Sequence, residues 1–204
     1  MLVALVLDSA RDKTKDSITK MSYENQNIDP YFPQPRETID DLLLRANQEG
    51  HTTKEISVWG TDTVVVPYGE VGVAATDKLN GCHVSIFVTP TEGGSAMTMT
   101  HFPPGIGRES YREALDTIDS SMRAQGVMPR AIVTLTASDR PAIEDSWVVE
   151  HFPDVQVDQL FYKARDPERR ANPDAGKCLA ILDQSEGRTD LHILTDSGDQ
   201  SIAL

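Results

Sequence analysis

Residues 76–102 read TDKLNGCHVSIFVTPTEGGSAMTMTHF, and this stretch decides the fold. Apolar and polar residues alternate in its first half and again in its second half, which is the period-two pattern of half-buried strands. Residues 90–94, Pro-Thr-Glu-Gly-Gly, have the composition of a turn. The stretch therefore predicts a β-hairpin that begins just after Cys82 and ends beside His101.

The position of the turn decides whether Cys82 and His101 meet. A turn centred between residues 91 and 92 places Cys82 directly opposite His101, with Cβ atoms roughly 4.5–5.5 Å apart. A turn centred on residues 93 and 94 places Cys82 opposite Gly105 instead. The first register predicts a cysteine nucleophile beside its base.

A cysteine that attacks an amide must lose its proton, and a histidine within hydrogen-bond reach accepts it near neutral pH. A third group must orient the imidazole. Gly81 beside Cys82 permits a tight turn whose backbone N–H groups can bind an oxyanion. A lone cysteine is more often an inert core residue, so the opposed histidine is what makes Cys82 a candidate.

The residues Leu79-Asn80-Gly81-Cys82, with Thr76 before them and His101 after one hairpin, resemble the active-site pattern of the cysteine-dependent glutamine deamidases. That group includes the chemoreceptor glutamine deamidase, the catalytic domain of cytotoxic necrotizing factor, and Burkholderia lethal factor. The toxin motif has a serine where this chain has Asn80.

The resemblance implies a deamidase-like fold and hydrolysis of a glutamine side chain on a protein, with no metal or organic cofactor. It makes Cys82 the nucleophile, His101 the base and Thr76 the group that orients the histidine, while Asn80 and Gly81 support the oxyanion. Transfer to an amine instead of water remains open. So do a non-catalytic binding protein on the same fold and a cysteine peptidase.

The composition limits the classes of molecule that the protein is expected to bind. The formal net charge of −13 over 204 residues disfavours binding to nucleic acid or to an anionic membrane surface. We therefore expect a soluble, acidic protein; the resemblance implies an effector-like protein, cytoplasmic or secreted, that acts on a protein substrate. The two cysteines and five histidines do not show the close pairings of a structural zinc site. The apolar start at residues 2–7 is too short for a membrane span and lacks the basic residues of a signal peptide.

The rest of the chain predicts one α/β (α+β) domain over residues 37–204, a mixed β-sheet sandwich with two to three packed helices, preceded by a flexible extension over residues 1–36. Helices are predicted at 38–49, at 108–124 and from Pro141 to about residue 150. Besides the hairpin, strands are predicted at 55–59, 63–66, 69–75, 130–136, 155–162, 178–182 and 191–194.

Several further residues have structural interpretations. Cys178 lies in an apolar strand pattern and is predicted to be a core residue, as are Trp59 and Trp147. His83 neighbours Cys82 in a strand, so we expect it to face away from the site, toward the surface. The arginines of the 163–176 loop are expected to be solvated.

Overall fold

The computed structural model describes residues 37–139, 143–163 and 172–204. The predicted extension at 1–36, Pro141 and the arginines of the charged loop lie outside these residues. The helices are α1 (Ile39–Gln48), α2 (Arg108–Ala124) and α3 (Ile143–His151). The strands are β1 (Thr52–Ile56), β2 (Thr61–Pro67), β3 (Val71–Thr76), β4 (His83–Thr91), β5 (Gly94–Phe102), β6 (Ala131–Ala137), β7 (Val157–Tyr162), β8 (Cys178–Asp183), β9 (Asp190–Thr195) and β10 (Gly198–Ala203). None of the helices described is long and apolar enough to cross a membrane.

The strands form two five-stranded sheets. The first sheet has the order β1-β3-β8-β9-β10, and the second has the order β2-β5-β4-β6-β7. Each sheet is mixed, because β1 pairs with β3 in parallel and β6 pairs with β7 in parallel, while the other neighbours are antiparallel. The prediction of an α+β sandwich of mixed sheets with packed helices is confirmed.

The sheets pack face to face, and helices cover their outer faces. We call the apolar layer between the sheets the inter-sheet core; it contains Ile56, Ala74, Cys82, Val84 and Met99, among others. Helix α1 packs on the outer face of the first sheet. Helices α2 and α3 pack on the outer face of the second. The alternation along each strand divides its side chains between the inter-sheet core and a helix.

Helix α1 is fixed at its N-terminus by reciprocal capping. The Thr38 hydroxyl accepts a hydrogen bond from the Asp41 backbone N–H, and the Asp41 carboxylate accepts one from the Thr38 N–H. The buried Asp174 carboxylate also accepts a hydrogen bond from the Ile39 N–H at 2.6 Å. These contacts hold the helix against the end of the first sheet that carries Thr76.

The structure departs from the predicted elements in two places. Strand β10 was not predicted, because its sequence GDQSIA is mostly polar; it pairs only with β9 and is an edge strand, which needs little apolar surface. The predicted strand over 55–59 is also wrong in its second half. Strand β1 ends at Ile56, and residues 57–60 form a turn that leaves Trp59 exposed instead of in the core.

Candidate active site

The hairpin register differs from both predicted alternatives. Thr91 pairs with Gly94, so Glu92 and Gly93 form the turn, and His101 lies opposite Val84. The prediction that Cys82 lies directly opposite His101 is therefore wrong, and so is the alternative that placed it opposite Gly105. Cys82 precedes β4 and lies one diagonal step from His101. Diagonal neighbours in a sheet have Cβ atoms roughly 7–8 Å apart, within reach of long side chains.

Strand alternation brings Thr76, Cys82 and His101 to one end of the inter-sheet core. Ala74 faces that core from β3, so Thr76, two residues later, faces it as well. Met99 does the same from β5, and His101 continues its alternation. Cys82 is itself part of the inter-sheet core. The two sheets thus bring the side chains of all three candidate residues to one buried end.

Thr76 contacts both His101 and the backbone of β1. Its hydroxyl lies 2.6 Å from the Ile56 carbonyl oxygen and 2.7 Å from Nδ1 of His101. A carbonyl oxygen can only accept, so the single hydroxyl proton is donated to Ile56, and the Thr76 oxygen accepts a hydrogen bond from Nδ1–H. This assigns the tautomer: in the neutral ring the lone pair lies on Nε2.

The surroundings of the His101 imidazole favour its neutral form. The residue is 0 % exposed, and its Nε2 has no hydrogen-bond partner among the residues described. Burial lowers the pKa of His101 below its usual value, and the nearby Asp77 carboxylate acts in the opposite direction. A buried ring nitrogen with an unused lone pair costs stability, which the bond to Thr76 partly offsets.

The loop that carries Cys82 is tightly wound. Lys78 has a φ of 60° and Gly81 a φ of 78°, so the chain turns twice within four residues. The Cys82 sulfur lies 3.7 Å from the Lys78 carbonyl oxygen, inside this loop. Leu79 is buried and its N–H donates to the Gly176 carbonyl at 2.8 Å, which anchors the loop to the start of β8. Asn80 is exposed.

Tyr162 contacts the backbone of Cys82 from another strand. Its hydroxyl, at the end of β7, donates a hydrogen bond of 2.8 Å to the Cys82 carbonyl oxygen, and both residues are buried. The sequence alone did not identify Tyr162 or the Ile56 carbonyl as part of this region. An aromatic residue that ends a strand carries a polar group that must find a partner when buried, and this was the only signal for Tyr162.

A cavity of about 500 Å³ opens beside Thr76, while Cys82 and His101 are not among the residues that line it. Thr76 and Ile56 form part of its wall, together with Glu55, Asp77 and Lys78. Its lining is partly apolar, with Ile39, Leu43, Ile56 and Ala75, and partly charged. Nowhere in the described ranges do three or more His, Cys, Asp or Glu side chains come together in a way that could hold a metal ion.

His83 is buried, so its predicted surface position is wrong. It faces α2 and α3 on the other side of the second sheet, as alternation requires, but the helices cover that face. Its Nε2 lies 2.9 Å from Oδ1 of Asp145, and its Nδ1 lies 3.0 Å from the Tyr111 hydroxyl, which contacts Ser85 at 2.9 Å. This His83 network joins both helices to β4, the strand that follows Cys82.

The second cysteine is inert. Cys178 is fully buried, as predicted, and burial raises the pKa of its thiol to about 12. A thiol with such a pKa is almost entirely protonated at neutral pH and is a poor nucleophile. Trp147 is half-buried against the cluster under α2 and α3, so its predicted core position is only partly correct.

No protein-family model matches the chain, and no curated protein matches it. Among solved structures, the chain is similar to the C-terminal domain of CNFy from Yersinia pseudotuberculosis, with a TM-score of 0.42 and 10 % sequence identity. The match covers 74 % of this chain and 62 % of that one, so the chain spans about three fifths of that domain.

Proposed function

We propose that this protein is a cysteine-dependent hydrolase that deamidates a glutamine side chain on a protein substrate. Cys82 is the nucleophile, His101 is the base and Thr76 orients His101. Backbone amides near Gly81 hold the oxyanion, with Asn80 at the edge of the same loop. The observation that carries the proposal is the Thr76–His101 hydrogen bond, which directs the basic Nε2 of a neutral histidine into the core layer that contains Cys82.

The proposed reaction has two steps. The Cys82 thiol gives its proton to Nε2 of His101 as the sulfur attacks the amide carbon, and the resulting tetrahedral intermediate expels ammonia, which takes that proton. The thioester is then attacked by water, which gives a proton to Nε2. The C–S bond breaks, glutamate is released, and the proton returns to the sulfur.

Ammonia release tests the proposal directly. The protein is incubated with glutamine-containing proteins and peptides, ammonia is measured by a coupled assay, and mass spectrometry locates the conversion of glutamine to glutamate. Glutamate formation that requires Cys82 supports the proposal. Release of shorter peptides without ammonia would instead identify a cysteine peptidase, and no turnover of any glutamine substrate would favour a binding protein.

Thr76→Val is expected to lower kcat/KM by about 100-fold, because it removes both the acceptor for Nδ1–H and the bond to the Ile56 carbonyl. The ring can then adopt the wrong tautomer. Thr76→Ser keeps the hydroxyl and is expected to stay within a few-fold of the wild type. Full activity of the valine variant would show that the hydroxyl does not orient His101.

The pH profile of kcat/KM is expected to fall in acid with a midpoint below 6.5, the usual pKa of histidine, because burial lowers the pKa of His101 and the neutral form is the base. Asp77→Asn removes the charge that raises this pKa, so the acid limb should move to lower pH. Asp154→Asn is the matched control, because it removes an exposed carboxylate from the connection between α3 and β7. A limb that moves to higher pH, or that moves equally in both variants, would contradict the assignment.

A further inference from the structure

Trp59 has a backbone conformation and a solvent exposure that are both unfavourable for tryptophan. It is the third residue of the turn Ser57–Gly60, which is closed by a hydrogen bond of 2.7 Å from the Gly60 N–H to the Ser57 carbonyl. Its φ of 67° is one that a turn normally gives to glycine or asparagine. The side chain is also 63 % exposed. Neither local backbone preference nor core packing explains a tryptophan here.

The turn is attached to the candidate base. The Trp59 N–H donates to the His101 carbonyl at 2.8 Å, and the His101 N–H donates to the Gly60 carbonyl at 3.0 Å. Across the described ranges, the only residues other than glycine with a positive φ are Trp59 and Lys78. Trp59 is hydrogen-bonded to the backbone of His101, and the Lys78 carbonyl oxygen lies beside the sulfur of Cys82. Strained backbone that persists at a site is typical of ligand-binding and catalytic positions.

The cavity beside this turn is lined by carboxylates and by lysines. Ser57 lines it, and so do Glu55 and Asp77. Two lysines also line it: Lys177 pairs with Asp40, and the exposed Lys78 lies 3.9 Å from Asp77. Glu55 is exposed and has no ion-pair partner among the described residues. The cavity therefore has one carboxylate without an ion-pair partner in the described part of the chain, Glu55, four residues before the exposed Trp59, and Asp77 lies near enough to His101 to act on its pKa, on a chain whose formal net charge is −13.

We infer that the site recognises a substrate protein through a basic residue, preferably arginine, next to the target glutamine. The arginine stacks on Trp59 and contacts the carboxylates of Glu55 and Asp77, while the glutamine side chain reaches Cys82. Arginine on the face of tryptophan is the most favourable cation–π pair, and aromatic residues dominate the energetics of protein recognition. This inference rests on the proposed deamidase function and names its substrate class.

Three short peptides test it, each with a central glutamine flanked by arginine, alanine or glutamate. The protein is expected to release ammonia from the arginine peptide with a kcat/KM about tenfold above that of the glutamate peptide, mostly through KM. Trp59→Gly and Glu55→Gln should each reduce this ratio to about threefold, and added salt should reduce it further. Trp59→Gly should melt no lower than the wild type, because glycine relieves the backbone strain.

Two matched controls distinguish recognition from general damage. Tyr68→Ala removes an aromatic residue that is 66 % exposed but lies at the opposite end of β2, and Glu92→Gln removes an exposed carboxylate at the hairpin turn. Neither should change the peptide ratio. Equal turnover of the arginine and glutamate peptides, or a ratio that survives Trp59→Gly, would overturn the inference while leaving the deamidase proposal intact.

Binding of the three peptides to the Cys82→Ala variant, measured by isothermal titration calorimetry with and without the additional Trp59→Gly substitution, provides a readout that does not depend on turnover or on the fluorescence of Trp59. If no peptide yields ammonia, the proposed deamidation fails for these substrates. Tighter binding of the arginine peptide that is lost in Trp59→Gly would still support the recognition surface. Equal binding of all three peptides, or no binding, would overturn it.

Discussion

Cys82→Ser is expected to abolish ammonia release, lowering kcat/KM by at least about 1,000-fold, while the melting temperature stays close to that of the wild type because the serine hydroxyl can donate to the Lys78 carbonyl oxygen beside it. The reason is chemical, because a serine hydroxyl has nearly the same shape but is far less readily deprotonated by a histidine than a thiol. Ammonia release by a coupled assay and thermal unfolding by circular dichroism measure the two effects.

Cys178→Ser is the matched control, since it makes the same atomic change at a fully buried residue that lies directly opposite Thr76 in the first sheet, and so tests whether a thiol-to-hydroxyl change beside the site is enough to remove activity. It should retain activity per folded molecule but melt lower, because it buries a hydroxyl in an apolar core. Iodoacetamide should label Cys82 in preference to Cys178, whose thiol pKa is raised to about 12. Equal loss of activity in both variants, or equal labelling, would refute the role of Cys82 as nucleophile.

Asp145→Ala is expected to lower the free energy of unfolding by about 3–5 kcal/mol, because it breaks a buried pair and leaves Nε2 of His83 without its partner. Both side chains are almost fully buried, 2.9 Å apart, and the Thr136 hydroxyl donates a further hydrogen bond to the same carboxylate at 3.2 Å. Urea unfolding measures the loss. Asp154→Ala, an exposed carboxylate after α3, should change stability by less than about 0.5 kcal/mol.

The same pair predicts how stability depends on pH. Burial raises the pKa of Asp145, but the hydrogen bonds from His83 and Thr136 outweigh it, and the pKa in the folded protein lies below its usual value. The stabilisation of the folded state by ionised Asp145 is therefore complete above the unfolded pKa of about 3.9 and is lost as the pH falls through the pKa of the folded protein. Asp145→Asn removes this dependence, so its stability difference from the wild type should shrink below about pH 4. A difference that is constant with pH would contradict this account of Asp145.

Local patterns predicted most of the architecture. Helix α2 spans Arg108–Ala124 as expected, because its apolar residues recur with helical period and Gly126 follows its end. The strands of both sheets were found by alternation, with bounds displaced by a few residues. Strand β10 was missed because an edge strand is held by pairing with β9 and not by its own composition.

Alternation also predicted that His83 faces away from Cys82, and that much is correct. It does not say what covers a face, so the burial of His83 under α2 and α3 came only from the structure. The exposure of Trp59 was likewise unpredicted. A tryptophan is expected in the core unless its backbone is held in a surface turn. The turn that contains Trp59 is held by backbone hydrogen bonds to His101, and these could be seen only in the structure.

The sequence by itself determined the hairpin, the glycine turn before Cys82 and the face on which each reactive side chain lies, because these depend on neighbours along the chain. Only the tertiary structure decided the register, which places His101 opposite Val84, and the bond that joins Thr76 to His101. Thr76 and His101 belong to different sheets. Their contact depends on how two sheets dock, and docking is set by the packing of the whole inter-sheet core.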